Sequence, residues 1–160
     1  MHDENKKRLP QNIQHLLMEI GERMVLFKLF LLVKDTEWNV YQNLGETGCD
    51  LLILNSVTNQ KLKIEVKTRQ RLYSTSKESQ KNIAQFTITE NEYNNCDYVI
   101  CYWLEENVFF VVPKSELSET SSNGKSLFVF RVKRRSGGGF DENSVRFLDR
   151  WDTIILGKVI

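Results

Sequence analysis

The stretch that decides the reading is Lys61–Lys67, KLKIEVK, taken with Gly48–Leu54, GCDLLIL, just upstream. In KLKIEVK the period is two. Leu62, Ile64 and Val66 fall on one face, and Lys61, Lys63, Glu65 and Lys67 on the other, which is the pattern of a strand with one apolar side. Asp50–Leu54, DLLIL, reads as a second strand, with Gly45 and Gly48 marking the turn before it. The polar connection Asn55–Gln60, NSVTNQ, has the composition of a hairpin loop. A hairpin that pairs these two strands brings Asp50 beside Glu65 and leaves Lys67 on the same face as Glu65.

Working outward toward the N-terminus, Trp38–Gln42 (WNVYQ) is a further strand candidate. Before it, Pro10 to about Lys34 is helical. Ile13, Leu16, Leu17, Ile20, Met24, Phe27 and Leu31 recur at helix spacing. A second row, Glu22, Leu26, Leu29 and Val33, makes the later half apolar on two sides and predicts burial from two directions, with Glu22 pointing into the protein. Toward the C-terminus, residues 68–81 are basic, Ser-rich and weakly periodic, as in a flexible loop. Phe86–Ile88 is a short extended piece, and Thr89 and Glu92 have capping-box spacing for a helix over Thr89–Asn95. Tyr98–Trp103 and Val108–Val112 are strands joined by an acidic turn, with Pro113 ending the second. Ser126–Lys133 is another strand, followed by a flexible basic tip over 133–140 with three consecutive Gly. Asn143–Trp151 reads as a C-terminal helix. Residues 1–10 are polar and expected to be flexible. The order predicts a mixed α/β domain built around one sheet, a single domain over 1–160.

Composition narrows the chemistry. The 160 residues carry 22 Lys and Arg against 21 Asp and Glu, a net charge of +1, which argues against coating nucleic acid by bulk electrostatics but leaves room for a local basic surface. Three Cys without a CxxC pair exclude a disulfide scaffold, and two His, both near the N-terminus, leave no set for a structural zinc site or a Ser-His-Asp triad. Any catalysis therefore falls to carboxylates and Lys. The apolar run Met24–Val33 is interrupted by Lys28 and is shorter than the ~20 residues a membrane span requires, and the charged start is no signal peptide. A cytoplasmic protein without a membrane partner is the expectation.

Asp50 and Glu65, with the Val66 carbonyl between Glu65 and Lys67, make an all-oxygen donor set of the kind that suits Mg²⁺ or Mn²⁺ and suits zinc poorly. Lys67 beside such an ion could orient a water or stabilise charge developing on an attacked phosphate. Glu22 could add a third carboxylate, and the neighbouring basic stretches could hold a polyanion. Taken singly each piece has a plainer meaning. Glu-x-Lys on an amphipathic strand is ordinarily a solvated face, Gly-x-Asp is ordinary turn chemistry, and Glu22 could pair with Arg23 or Lys28. Only their joint order points to one site.

That order resembles the PD-(D/E)XK nuclease superfamily, the restriction-endonuclease-like fold. The matching residues are Gly21-Glu22, Trp38-Asn39-Val40, Gly48-Cys49-Asp50-Leu51-Leu52-Ile53 and Lys63-Ile64-Glu65-Val66-Lys67, and the order is most like the archaeal-type Holliday junction resolvase branch. The resemblance covers residues 13–67 most closely and runs on through Asp97–Ile100, Phe109–Pro113 and Leu117. Cys49 stands where the family has its name-giving Pro, which is often absent. The resemblance implies a mixed β-sheet flanked by helices, with an N-terminal helix followed by a β-meander carrying D…ExK. It implies a Mg-dependent endonuclease acting on DNA, with Asp50 and Glu65 as metal ligands, Lys67 as catalytic lysine and Glu22 as the helical acid. Gln70 is a weaker site candidate, and Arg69, Arg71, Lys77 and Arg134 are candidates for nucleic-acid contact. Cutting both strands of a junction takes two active sites, so a homodimer fits. The alternatives are a non-catalytic module that keeps the fold to bind nucleic acid or protein, and a nuclease directed at RNA.

Overall fold

The computed structural model describes residues 10–43, 45, 48–69 and 82–156. The long helix, α1, spans Gln11–Val33 with Pro10 at its cap, so Pro10 lies just outside the helix rather than within its first turn. It stops at Val33, whose carbonyl accepts a hydrogen bond from the Thr36 hydroxyl (2.6 Å), and Asp35 turns the chain at φ 60°, a conformation that a short polar side chain tolerates.

Three antiparallel strands follow: β1 (Trp38–Gln42), β2 (Leu51–Asn55) and β3 (Lys61–Arg69). The β2–β3 hairpin is the one expected, and Asn55 stitches its loop by accepting from the backbone N–H groups of Val57 and Thr58, both at 2.9 Å. Next come β4 (Ile83–Thr89) and α2 (Glu90–Asn94). The capping box read from Thr89 and Glu92 is present, with Thr89 Oγ1 accepting from Glu92 N and Glu92 Oε2 accepting from Thr89 N. The remaining elements are β5 (Tyr98–Trp103), β6 (Val108–Pro113), β7 (Ser118–Ser122), β8 (Lys125–Lys133), α3 (Glu142–Val145) and α4 (Asp152–Leu156).

The architecture corrects the expectation of one sheet. A five-stranded mixed sheet has the order β1-β2-β3-β5-β6, parallel only between β3 and β5, and a separate three-stranded antiparallel sheet has the order β4-β8-β7. The second sheet was illegible because β7, SETSS, is exposed at every position and has no apolar period to read. Each face of the five-stranded sheet has its own core. On one side α1 and α4 press Val25, Leu29 and Ile154 against Leu51, Ile53, Ile64, Val66, Ile100 and Val111. On the other, Ala84, Phe86, Ile88, Phe130 and Val132 of the small sheet meet Val99, Cys101, Trp103, Phe110 and Val112. All six residues of β5 are buried, because it lies between two layers. At roughly 1.5–3 kcal/mol per large apolar side chain removed from water, this three-layer stack holds the sheet fixed.

Two further expectations change. Asn143–Trp151 is not one helix. Asp141 caps α3 by accepting from Ser144 N (3.1 Å), and the chain then leaves helical geometry to bury Phe147 in the second core, while Phe147 O accepts from Val111 N (2.9 Å). The tip over 133–140 is tied rather than loose. Arg134 forms a bridge with Phe140, and its guanidinium is paired with Glu106 and with Asn82 Oδ1. Of the flexible segments expected at 1–10 and 68–81, residues 1–9 and 70–81 lie outside the described residues, Pro10 caps α1, and Thr68 and Arg69 are not loop but the end of β3, held by pairing with Tyr102 and Trp103 of β5. Cys49, Cys96 and Cys101 are all buried free thiols.

Candidate active site

The β2–β3 ladder ends early, and the site sits at that end. Its last pair is Leu51 with Ile64, closed by Asp50 N donating to Ile64 O (3.0 Å), while β3 runs on to Arg69. Just before β2, Gly48 adopts φ 112° and Asn43 Nδ2 donates to Cys49 O (2.8 Å), which fixes the turn that delivers Asp50. Asp50 Oδ2 then accepts from the backbone N–H of Val66 at 2.8 Å, so a carboxylate takes the place of the missing strand. In an extended strand the N–H and C=O of one residue point to the same side, so the Val66 carbonyl also faces the gap beyond β2.

Side-chain alternation along β3 does the rest. Ile64 and Val66 enter the α1 core, whereas Glu65 and Lys67 lie on the opposite face, with Lys67 Nζ 3.4 Å from Glu65 Oε1. Glu65 is only 5% exposed. Lys67 Nζ also donates to Glu92 Oε1 at 2.8 Å. Glu92 is the residue the sequence reading missed here. It was legible as the capping residue of α2, but nothing in the spacing shows that the same carboxylate reaches the Lys67 ammonium. That contact exists because α2 is placed beside β3 by the β4 crossover.

Glu22 approaches from α1. Gly21 lets the helix backbone come down on Thr68, and Glu22, next along the helix, is half-buried and close enough to Asp50 and Lys67 for both charges to act on it. Of the four residues read from the sequence as one site, Asp50, Glu65 and Lys67 meet at the hairpin end, and Glu22 stands within electrostatic reach of Asp50 and Lys67. Of the nucleic-acid candidates, Arg69 continues the Glu65–Lys67 face and donates from Nε to Gln85 O (2.8 Å). Arg134 is held in its pairs with Glu106 and Asn82, and Gln70, Arg71 and Lys77 lie outside the described residues.

The electrostatics are those of acids crowded without enough positive charge. Burial, and then the neighbouring Asp50 charge, push the Glu65 carboxyl up to about 8, against the pull of Lys67. Burial also raises Asp50, partly offset by the Val66 N–H and by Lys67. Glu22 is raised by burial and then by Asp50. For Lys67, burial favours the neutral amine, but Glu92 and Glu65 outweigh it and hold the group above its ordinary value, so it is an ammonium at neutral pH. Among the described residues no three acid, His or Cys side chains stand close enough together to cage an ion unaided. The donor chemistry nonetheless fits a hard cation, since a buried carboxylate (Glu65) and a half-buried one (Asp50) that repel each other, beside a carbonyl at an open strand end, are relieved by one.

No family model matches the sequence, and no curated protein does either. Solved structures do match in shape. A bacterial homing endonuclease superposes with a TM-score of 0.58 at 19% identity, covering 89% of this chain and 93% of that one. The fold is restriction-endonuclease-like. The Holliday junction resolvase Hjc of Archaeoglobus fulgidus matches with a TM-score of 0.49 at 17% identity, over 71% of this chain and 82% of that one. Within the restriction-endonuclease-like fold of this chain, the D…ExK residues occupy the end of the β2–β3 hairpin, and α1 supplies the acid above them. Among the described residues no helix is long and apolar enough to cross a membrane.

Proposed function

We propose that this protein is a metal-dependent endonuclease that hydrolyses phosphodiester bonds in DNA. The observation that carries the reading is the meeting of Asp50, Glu65 and Lys67 at the open end of one hairpin, with Asp50 bonded to the backbone between the other two. Asp50 and Glu65, with the Val66 carbonyl, would hold Mg²⁺ or Mn²⁺, and Glu22 would complete the acid set. A divalent ion bound there supplies Lewis acidity toward a phosphodiester.

The chain's own groups have separate tasks. The Lys67 ammonium, kept charged by Glu92 and Glu65, stabilises negative charge on phosphorus-bound oxygen and orients the attacking water; it is not a base. Glu92, bonded at one oxygen to Lys67 and at the other to Thr89 N, limits where that ammonium can go. Arg69, on the same face, would meet the nucleic-acid backbone, together with Gln70, Arg71 and Lys77, and Arg134 would contribute after exchanging its pair with Glu106.

The deciding experiment incubates the purified protein with Mg²⁺ or Mn²⁺ and a panel of linear, branched and single-stranded DNA, with RNA alongside. Cutting of at least one DNA is expected, and Lys67→Ala should abolish it while leaving the circular dichroism unchanged. Undiminished cutting by Lys67→Ala would remove Lys67 from the mechanism. Cutting confined to RNA would reassign the substrate.

A further inference from the structure

Among the described residues, the two-sided apolar pattern of α1 is covered chiefly on one side. Val25, Leu29 and Val33 are buried against the sheet, and Glu22 and Leu26 share that side. The opposite row, Ile13, Leu17, Ile20, Met24, Phe27 and Leu31, runs along the outward side, with Leu17 and Met24 half-buried and Met24 also touching the core beneath. Ile13 is 40% exposed, Phe27 57% and Leu31 52%. Leu16 and Phe30 border the row and are also exposed.

We propose that this row is the homodimer interface, packing against the same row of a second copy in antiparallel register. Its spacing is four, three, four, three, four, the alternation of a coiled-coil seam, sustained over about 27 Å of helix. The series reads the same in either direction about position 22. A two-fold axis there sets Ile13 opposite Leu31, Leu17 opposite Phe27 and Ile20 opposite Met24, the self-complementarity that a two-fold interface requires.

Size and charge agree. The exposed apolar side chains of the row and its border amount to a patch on the order of 600 Å², at the upper end of what monomers leave uncovered. A standard interface takes about 800 Å² per partner, which the patch approaches before any polar rim is added. No charge lies in the row itself. The nearest charged groups stand at its margins and are engaged, Arg23 with Glu19 at 3.7 Å and Lys28 over the Phe109 ring at 5.7 Å. A phosphate backbone finds no cation along such a face, so nucleic acid is not its occupant. The inference stands apart from the proposed nuclease activity.

The test is the mass in solution of the full chain by sedimentation equilibrium at tens of micromolar. Twice 18.8 kDa is expected. Phe27→Glu should return the mass to that of one chain, with unchanged circular dichroism, because Phe27 is already exposed in the single chain. Val57→Glu, which places the same charge on an exposed apolar residue in the hairpin loop, should leave the dimer intact. A bismaleimide should cross-link two copies through Ile20→Cys, since the three native thiols are buried. A wild-type monomer overturns the proposal, even one that floats with phosphatidylcholine vesicles and so assigns the face to a lipid surface. A dimer that survives Phe27→Glu overturns it equally.

Discussion

The Gly21 backbone packs directly on the Thr68 side chain: a Cβ placed on Gly21 would fall 1.6 Å from Thr68 Oγ1 and 2.9 Å from Thr68 Cβ. Glu22 follows Gly21 and Lys67 precedes Thr68, so the crossing of α1 over β3 sets the distance between the helical acid and the ammonium. Gly21→Ala should therefore do two things. Alanine improves helix propensity by about 1 kcal/mol, but overpacking against a strand costs roughly 1–3 kcal/mol and involves Thr68 Cβ as well as its hydroxyl. The clash wins, and the variant should melt lower and lose cutting activity through displacement of Glu22. Thr68 Oγ1 is buried without a hydrogen-bond partner among the described residues, so Thr68→Ala alone should be nearly neutral. The double variant should recover part of the loss, a coupling that a thermal double-mutant cycle measures.

Replacing Glu92 tests how Lys67 is held. Glu92→Gln can still accept at Thr89 N, so α2 should stay capped and stability should fall by less than the ~1 kcal/mol of a lost cap. The charge facing Lys67 disappears, and with it part of what keeps the ammonium above its ordinary value. Removing a nearby negative charge lowers a lysine pKa. The alkaline limb of the pH–rate profile should accordingly move to lower pH, with the acid limb unchanged.

The stability of the metal-free protein should fall as pH rises. Glu65 is raised from 4.5 to about 8 in the folded chain, so across that interval the folded state holds a proton that the unfolded state has released. Stability is then greatest near the acid end and declines toward the alkaline end. Urea melts in EDTA across this range should show that slope, and Glu65→Gln should flatten it. A rising slope would contradict the burial and Asp50 repulsion assigned to this group.

Divalent ions should reverse that loss. An ion that binds only the folded state at a hundred times its dissociation constant adds about 2.7 kcal/mol. Mg²⁺ or Mn²⁺ should raise the melting temperature of wild-type protein and leave Asp50→Asn unmoved. A binding module without a metal site would show no rise in either protein, so the same titration separates the catalytic reading from the non-catalytic one.

The hairpin carrying Asp50, Glu65 and Lys67 was legible because a strand's side chains alternate strictly and a short polar loop enforces pairing of its neighbours. α1 was legible from its period, and its double apolar face too, although which side the chain itself would cover was not. Other features had no local signal. β7 carries no apolar alternation, and the break before Phe147 is dictated by the core that receives that ring. Arg134 reads as a loose basic tip until Glu106 and Asn82, distant in sequence, are found beside it.

The sequence by itself determined the elements that bear the site and the identity of its acids and lysine, since periodicity and turn chemistry act over a few residues. Only the tertiary structure decided that a second sheet backs the first and that Glu92 grips Lys67. It also decided that Glu22 is brought within electrostatic reach of Asp50 through the Gly21–Thr68 crossing, and that most of one apolar face of α1 is left outside. Those outcomes depend on how layers stack and which backbones can touch, and no stretch of chain contains both partners of such a contact.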